Sequence, residues 1–458
     1  MASPNSLKIL EVCQVSPASH LPHSASEFSL PATFFDLFWL KFPPVERLFF
    51  YHLTQSTPDF FNSVILPKLK HSLSLTLLHF FPIAGRLTWP LNSPKPVILY
   101  CPNDGLPLTV AESDADFDHL SSTSEMIEAI ESHPYVPELP ISETSSSILA
   151  LQITLFPSKG FAIGCSSNHA ILDGKSSTMF IKAWAYICKH DNTSLLPELA
   201  PSYDRNSIKD ASELETVVLS QWAELTEQEW KKNPRSLKVL PTVIVAADQV
   251  RSTFQLTPEV INKLKNKVLS KLRNHSVSLS AFVLICAYVS VCMVKARGGD
   301  ENRKVCFVFA VDCRSRIDPP LPMNYFGNGV FSHQFSTEAR EFMEDSGVSS
   351  IAERISGIIK GLEKDALAGI EDILLNIKTA LGGAQLISLA GSTRFGVYGC
   401  DFGWGKPKKV EITSIDRTGA IALTECRDGN GGVEIGLALP RHEMEAFSRM
   451  LFNGLNDL

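Results

Sequence analysis

The chain has 458 residues, of which 44% are hydrophobic and 20% charged, and its formal net charge is −7. This length fits two domains of roughly 200 residues each, and the composition excludes a disordered chain. The acidic balance disfavours a nucleic-acid partner, because such a protein needs a basic surface. An anionic ligand would therefore need local basic contacts.

The ten cysteines include no Cys-x-x-Cys pair and no metal-finger spacing. We therefore expect free thiols, no metal, and a reducing, cytoplasmic compartment. The N-terminal residues lack the charged and apolar regions of a signal peptide. The most apolar run, Ala281–Val294, is shorter than the roughly 20 residues of a membrane span. We expect a soluble protein without a membrane partner, and a monomer.

The first half of the chain mixes strand-like and helical patterns. Apolar spacing predicts a strand at Ile9–Val15, a helix within Phe60–Phe80 that ends before Pro82, strands within 96–102 and 148–168, and a helix at Ser176–Cys188. Residues 191–220 are polar, contain two prolines and show no clear period. Such a segment is typical of a crossover between domains.

The second half predicts another mixed region. The expected elements are a strand at Ser252–Leu256, a helix at Pro258–Lys271 opening at Thr257, a buried helix at Leu279–Lys295, a strand at Val305–Asp312, helical spacing at 350–390, and strands at Lys409–Ile415, Ala420–Cys426 and Gly432–Leu439. We find no solenoid repeat and no low-complexity tract.

One histidine stands at a position suited to catalysis. A strand-like run leads directly into Asn168-His169, and Asp173-Gly174 follow as a turn before a helix. A histidine held at a strand end can take a proton from an alcohol, and it titrates near neutral pH. A lone histidine is more often a hydrogen-bonded core residue, so this segment alone leaves both interpretations open.

Other catalytic centres fit this segment less well. The run Gly164–Asn168 lacks the Gly-x-Ser-x-Gly of a serine hydrolase. Cys165 would be about 13 Å from His169 on an extended strand, too far for a nucleophile–base pair. The sequence has no His-Glu-x-x-His for a zinc site.

Two motifs together resemble the plant BAHD acyltransferase family. They are His169-x-x-x-Asp173-Gly174, which is common by chance, and Asp401-Phe402-Gly403-Trp404-Gly405-Lys406-Pro407, which is not. The resemblance covers the whole chain and includes Leu30–Asp36, Ser72–Gly85, Val311–Arg314 and Tyr325–Asn328.

The resemblance implies an α/β fold. Two chloramphenicol-acetyltransferase-like domains, each a mixed sheet with flanking helices, would be joined by a long crossover. We place the first domain at 1–190, completed by about 378–400, the crossover at 191–220, and the second domain at 221–377 and 401–458. A channel between the domains would admit acyl-CoA from one side and the acceptor from the other.

The resemblance also implies roles. His169 would act as general base in a direct transfer without an acyl-enzyme, and Asp173 would pair with Arg314 to set the turn that aims it. Some relatives have a Trp before the second motif as oxyanion donor, whereas here that place holds the candidates Ser392 and Thr393. Structural support would come from Asp401, Gly403, Trp404 and Gly405.

Acyl-CoA is the implied co-substrate, and no permanently bound cofactor is implied. The CoA phosphates require cations, for which the candidates are Lys263, Lys267, Lys406 and Lys408. Ser280 could bond the pantetheine or only cap its helix. The predicted acceptor pocket contains Thr33, Asp36, Ala310, Tyr325 and Phe326. Ala310 is small in a bulky strand, which would leave room for an acceptor or only relieve core crowding.

Within the family, the chain resembles the branch that acylates sugar hydroxyls of plant glycosides. Many members are flavonoid or anthocyanin glucoside malonyltransferases, but a malonyl carboxylate favours an Arg. The His169 segment offers only Lys175, and Gly329 stands where the branch often has Cys. The chain also resembles triterpenoid saponin acetyltransferases of the astragaloside type. We therefore expect acetyl transfer to a saponin, with malonyl transfer to a flavonoid glucoside or a non-catalytic BAHD-like binding protein as alternatives.

Overall fold

The computed structural model describes residues 7–18, 26–54, 57–210, 212–225, 233–272, 277–370, 374 and 382–458. Its strands are β1 (Leu7–Val15), β2 (Phe28–Pro31), β3 (Val45–His52), β4 (Arg86–Thr88), β5 (Val97–Tyr100), β6 (Leu106–Ser113), β7 (Ile127–Glu128), β8 (Ser145–Ser147), β9 (Leu149–Phe156), β10 (Gly160–Ser167), β11 (Gln249–Leu256), β12 (Lys304–Asp312), β13 (Val330–Glu338), β14 (Gln385–Gly391), β15 (Lys409–Ile412), β16 (Ile421–Glu425) and β17 (Val433–Pro440).

The helices flank these strands. They are α1 (Phe34–Phe38), α2 (Pro58–Phe60), α3 (Leu66–Thr76), α4 (Phe81–Ala84), α5 (Phe117–Leu120), α6 (Gly174–His190), α7 (Leu214–Leu225), α8 (Pro258–Lys271), α9 (Ala281–Arg297), α10 (Ala339–Met343), α11 (Gly347–Gly361), α12 (Ile415–Thr418) and α13 (Arg441–Asn456). A π-helical turn, Phe61–Ile65, connects α2 to α3, and 3-10 turns lie at Ala129–Tyr135, Pro197–Leu199 and Val397–Gly399.

Among the described residues, the strands form sheets of six, seven and four. The first sheet has the order β1-β6-β9-β10-β3-β15. Strands β9 and β10 are buried along their whole lengths, as central strands covered on both faces must be. β10 ends at Ser167, paired with Val45 of β3. The chain therefore leaves the centre of this sheet immediately before Asn168-His169.

The second sheet has the order β13-β12-β14-β16-β17-β11-β7. β12 ends at Asp312, which pairs with Val330 at the start of β13. Arg314 and residues 327–329 thus lie together just beyond one end of this antiparallel pair. The structure confirms the α/β class with mixed sheets and flanking helices.

The strand pairing differs from the prediction of which C-terminal segments join each sheet. The sequence places residues 378–400 with the first domain and 401–458 with the second. Instead, β14 pairs in parallel with β12 and β16 of the second sheet, and β15 pairs with β3 in the first. β14 lies inside the second sheet and β15 at an edge of the first, and a local sequence pattern does not reveal which sheet a strand joins. The domain boundaries themselves stay a prediction.

The crossover also differs from its predicted form. Its last part is helical, because α7 begins at Leu214 and buries Val218 and Trp222 in the first core. Further back, Ser202 exchanges backbone hydrogen bonds of 2.9 Å with Asn324 and Phe326. The segment is therefore packed against the rest of the protein.

Most other predicted elements are present with small shifts in their ends. Thr257 and Ser280 cap α8 and α9 through their side chains, as expected. The helical spacing predicted over 350–390 holds for α11; residues 371–373 and 375–381 of this stretch lie outside the described part. Within the described residues, no helix is both long and apolar enough to cross a membrane.

Candidate active site

The turn that follows β10 is shaped by Asn168. Its Oδ1 accepts the backbone N–H of Ala170 at 2.9 Å, and its Nδ2 donates to Ser146 Oγ at 2.8 Å. The Asn168 carbonyl accepts the N–H of Leu172 at 3.1 Å. These bonds wind the backbone tightly between the strand and α6, so His169 projects from a fixed point.

The His169 imidazole is held by ring stacking. It lies parallel to the indole of Trp39, with centroids 4.0 Å apart and planes at 4°, and Trp39 Nε1 donates to the Val330 carbonyl at 3.3 Å. Nδ1 of His169 is buried without a hydrogen-bond partner of ordinary geometry. Among the described residues nothing bonds Nε2, which retains accessible surface. Nε2 is therefore the nitrogen available to a substrate.

The surroundings of His169 keep it neutral. Burial lowers its pKa to about 4, opposed only in part by its own backbone and by the Asp173 carboxylate. A histidine with this pKa is unprotonated at neutral pH and can accept a proton. The environment thus keeps the imidazole in the unprotonated form that a general base requires.

Asp173 is the N-cap of α6 and points away from open space. Its Oδ1 accepts the Ser176 N–H at 2.8 Å, and its Oδ2 accepts the Gly329 N–H at 3.1 Å and pairs with Arg314 Nη2 at 2.7 Å. Both charged side chains are 1% exposed. Burial alone would raise the Asp173 pKa, but Arg314 and the two N–H donors hold it below its ordinary value. The predicted Asp173–Arg314 pair is confirmed.

A second support reaches His169 from the opposite side. Asn328 Nδ2 donates to the His169 carbonyl at 2.9 Å and to Asp36 Oδ1 at 3.2 Å. Asp36 Oδ2 in turn pairs with Arg205 of the crossover at 2.6 Å. Sequence reasoning missed this chain of contacts, although Asn328 stands in one of the stretches that carry the family resemblance.

Four of the five predicted acceptor-pocket residues are buried and make contacts inside the protein. Thr33 and Asp36 form a capping box at α1. Tyr325 is fully buried, with the Arg314 guanidinium 5.7 Å from its ring centre, and Phe326 packs in the first core. The Tyr325 hydroxyl is buried without a hydrogen-bond partner, and Phe326 also lines a small cavity, so an acceptor role for these residues stays a prediction.

Ala310 is the exception, because it is exposed rather than a core residue. It lies opposite Ser332 of β13 and on the same face of β12 as the exposed Asp312. Its place in an acceptor pocket stays a prediction.

The second motif lies at the far end of α6. Asp401 Oδ1 accepts the N–H groups of Gly403 and Gly405 at 2.8 and 2.9 Å, and its Oδ2 pairs with Lys189 at 2.7 Å. Both glycines have positive φ angles, 106° and 103°, which other residues rarely adopt. Lys189 is in the last turn of a 17-residue helix, so the loop is about 25 Å from the His169 end. This geometry agrees with a structural role.

Trp404 also has a packing role. Its ring meets Phe161 edge-on, with centroids 6.1 Å apart, and Lys68 lies 5.7 Å from the ring centre.

The CoA-binding candidates do not form one cluster around His169. Lys408 pairs with Asp118 at 2.9 Å, and Lys267 donates to the Asp457 carbonyl at 3.3 Å. Ser280 caps α9 through the Val283 N–H. Lys263 and Lys406 are exposed. CoA contacts by these residues stay predictions.

The oxyanion candidates follow β14. Ser392 and Thr393 are half-buried, and Ser392 lines a cavity between the two larger sheets. Phe395, on the same loop, packs so closely on Gly174 that a Cβ there would be 2.5 Å from its ring. The loop therefore touches the start of α6, and the oxyanion role stays a prediction.

Two alternatives to a histidine base find no support in the geometry. Burial raises the pKa of Cys165 to about 11, so its thiol is not a ready nucleophile. Among the residues that the structure describes, no group of three or more His, Cys, Asp or Glu side chains could hold a metal ion.

Comparisons with known proteins now identify the family. The model of the Transferase family matches residues 6–451. The chain is 44% identical to phenolic glucoside malonyltransferase 1 of Arabidopsis thaliana, over 99% of this chain and 98% of the relative. The chain belongs to the BAHD acyltransferase family. It is an acyl-CoA-dependent O-acyltransferase, as the two motifs predict.

A second relative and a solved structure agree. The chain is 44% identical to the Arabidopsis thaliana malonyl-CoA:anthocyanidin 5-O-glucoside-6''-O-malonyltransferase, over 98% of this chain and 99% of that one. Vinorine synthase has the same fold, with a TM-score of 0.69 and 23% identity over 96% of each chain. The relatives place this BAHD enzyme in the glycoside acyltransferase branch.

Proposed function

We propose that this BAHD enzyme transfers a malonyl group from malonyl-CoA to a sugar hydroxyl of a phenolic glycoside. The observation that carries the proposal is the likeness, over nearly the full length, to two glucoside malonyltransferases. These relatives favour the malonyl alternative over the acetyl and saponin interpretation drawn from the sequence. The neutral base at the end of β10 is what an active transferase needs, and a non-catalytic binding protein does not.

In the proposed reaction, His169 Nε2 takes the proton of the sugar hydroxyl while the oxygen attacks the thioester carbonyl. The tetrahedral intermediate collapses with cleavage of the carbon–sulfur bond, and the imidazolium returns the proton to the CoA thiolate. Ser392 and Thr393 are the candidate donors to the oxyanion. No acyl-enzyme forms, because the attacking oxygen is that of the acceptor.

The buried supports explain how the turn could be aimed. Arg314 and Asp173 fix the helix side of the turn, while Asn328 holds the His169 carbonyl. Small displacements of a catalytic group cost large factors in rate. Rigid support from both sides therefore favours catalysis by His169.

The test is a donor and acceptor screen with purified enzyme. Malonyl-, acetyl- and coumaroyl-CoA are each supplied at equal concentration with a phenyl glucoside or a triterpenoid saponin, and mass spectrometry reads the acyl group added. The proposal predicts the highest kcat/KM for malonyl-CoA with the phenyl glucoside. A preference for acetyl-CoA and the saponin would contradict it.

A further inference from the structure

A buried arginine faces the cavity between the two larger sheets without a carboxylate partner. Arg47, on β3, is 4% exposed, and its Nη1 donates to Thr178 Oγ1 at 2.7 Å. Among the described residues, neither Nε nor Nη2 has a hydrogen-bond acceptor, and no acid lies within ion-pair distance. A guanidinium stays charged under all ordinary conditions, and an unpaired buried charge is costly.

The other charged groups around this cavity are already compensated. Arg251 pairs with Asp416, and Glu411 pairs with Lys409. Glu434 accepts hydrogen bonds from Tyr398 and Gln255 at 2.7 and 3.1 Å. Arg47, whose guanidinium lies 6.0 Å from the centre of the Phe395 ring, is therefore the cation in this lining that lacks a carboxylate partner.

Two further groups complete the electrostatic setting. Glu425 is occupied by the backbone N–H of Tyr398 at 3.1 Å and lies beyond ion-pair distance of Arg47. Burial raises the pKa of Glu434. Glu425 opposes the guanidinium charge only from a distance, and neither carboxylate forms an ion pair with Arg47.

The cavity adjoins the catalytic turn. Its volume is about 30 Å³, it is partly open to solvent, and its lining includes Arg47, Ser392 and Phe395. Phe395 packs on Gly174, directly after Asp173. The Thr178 hydroxyl that holds Arg47 itself donates to the Gly174 carbonyl at 2.6 Å. Arg47 is thus tied to the same helix start that positions His169.

We infer that Arg47 is the residue that binds the free carboxylate of a dicarboxylic acyl donor, and so selects malonyl-CoA. The unused Nε and Nη2 form the edge of a guanidinium that meets a carboxylate through two parallel hydrogen bonds. The inference rests on the proposed function and adds the determinant of donor choice. Lys175 is the competing cation, but it lies 3.9 Å from Asp312.

The test compares kcat/KM for malonyl-CoA and acetyl-CoA in Arg47→Gln, with a phenyl glucoside as acceptor. The malonyl value should fall about 100-fold while the acetyl value changes little, because only the malonyl group loses a buried charge partner. Lys175→Met is the matched control and should keep the wild-type ratio of the two donors. A lost preference in Lys175→Met, or an unchanged ratio in Arg47→Gln, would overturn the inference.

A second variant covers the case in which Arg47→Gln does not fold. Thr178→Val keeps the volume of the helix and removes only the hydroxyl that holds Nη1, so the malonyl preference should drop several-fold; an unchanged ratio would again reject the inference. The wild-type enzyme separates this question from the reaction itself. If wild type uses acetyl-CoA but not malonyl-CoA, the proposed donor is wrong; if it uses malonyl-CoA and the variants do too, only the Arg47 assignment fails.

Discussion

Helix α6 is held at both ends by the same kinds of groups, an aspartate, a basic side chain and backbone N–H donors, yet the two ends differ in burial. At its start, the Asp173 and Arg314 side chains are each 1% exposed. At its end, Lys189 and Asp401 are 45% and 22% exposed. A buried pair is strongly destabilised when one partner is removed, whereas an exposed pair contributes little. The start of the helix is therefore the rigid end, and His169 lies in the turn directly before it.

The largest effect is expected on the reaction at the rigid end. His169→Ala should lower kcat/KM roughly 10²–10⁴-fold, as loss of a general base does, while the melting temperature stays close to that of wild type. Thiol release at saturating donor and acceptor measures the rate. A variant that retains the wild-type rate would show that another group takes the proton.

The next largest effect is expected on the free energy of unfolding when the buried pair at the start of α6 is broken. Asp173→Asn leaves Arg314 with the partly exposed Asp312, at 3.2 Å, as its remaining charge partner, so the loss should approach the roughly 3–5 kcal/mol of a broken buried pair and remove most of the activity. Denaturant unfolding and turnover are measured on the same preparation. Equal stability and full activity in this variant would contradict the rigid-end account.

A smaller loss should follow from the second support. Asn328→Ala removes the bond to the His169 carbonyl and leaves a buried acceptor, at a cost of about 1–3 kcal/mol, and kcat should fall with it. Asn324→Ala is the matched control, because Asn324 Nδ2 also donates to a carbonyl, that of Ala200 rather than that of His169. Equal kcat losses in the two variants would mean that Asn328 does not position His169.

The smallest effect is expected at the exposed end. Asp401→Asn keeps an oxygen for the Gly403 and Gly405 N–H groups and weakens only a partly exposed ion pair, so it should cost at most about 1 kcal/mol. Activity should remain near wild type. A loss as large as that of Asp173→Asn would show that both ends support catalysis equally.

Local patterns predicted much of the fold. Helices α8 and α9 follow from apolar spacing and from the capping residues Thr257 and Ser280. The destinations of β14 and β15 could not be predicted, because a short strand carries no mark of the sheet that it joins. Helix α7 was hidden in a polar segment, since only one side of it is buried.

The residues of the site that belong to a sequence motif were predicted. The residues that reach the site from distant parts of the chain were missed. His169 and the Asp173–Arg314 pair came from the family resemblance. Trp39 and Asn328 act through contacts with residues more than a hundred positions away in sequence, and no local pattern marks them. Thr33 and Asp36 were predicted to line a pocket, because the hydrogen bonds that they form inside the protein could not be inferred from the sequence.

The central claim is that burial keeps His169 neutral so that it can act as a base. The most direct measurement is the pH dependence of kcat/KM, and recovery of activity on return to pH 7 checks that the enzyme stays folded. The control is His333→Leu, because burial lowers the pKa of His333 to about 4 as well. Because protonated imidazole cannot accept a proton, activity should hold from neutral pH down to about pH 5 and fall near the His169 pKa of about 4. A fall centred on the ordinary histidine value of about 6.5, or one that His333→Leu abolishes, would contradict the account.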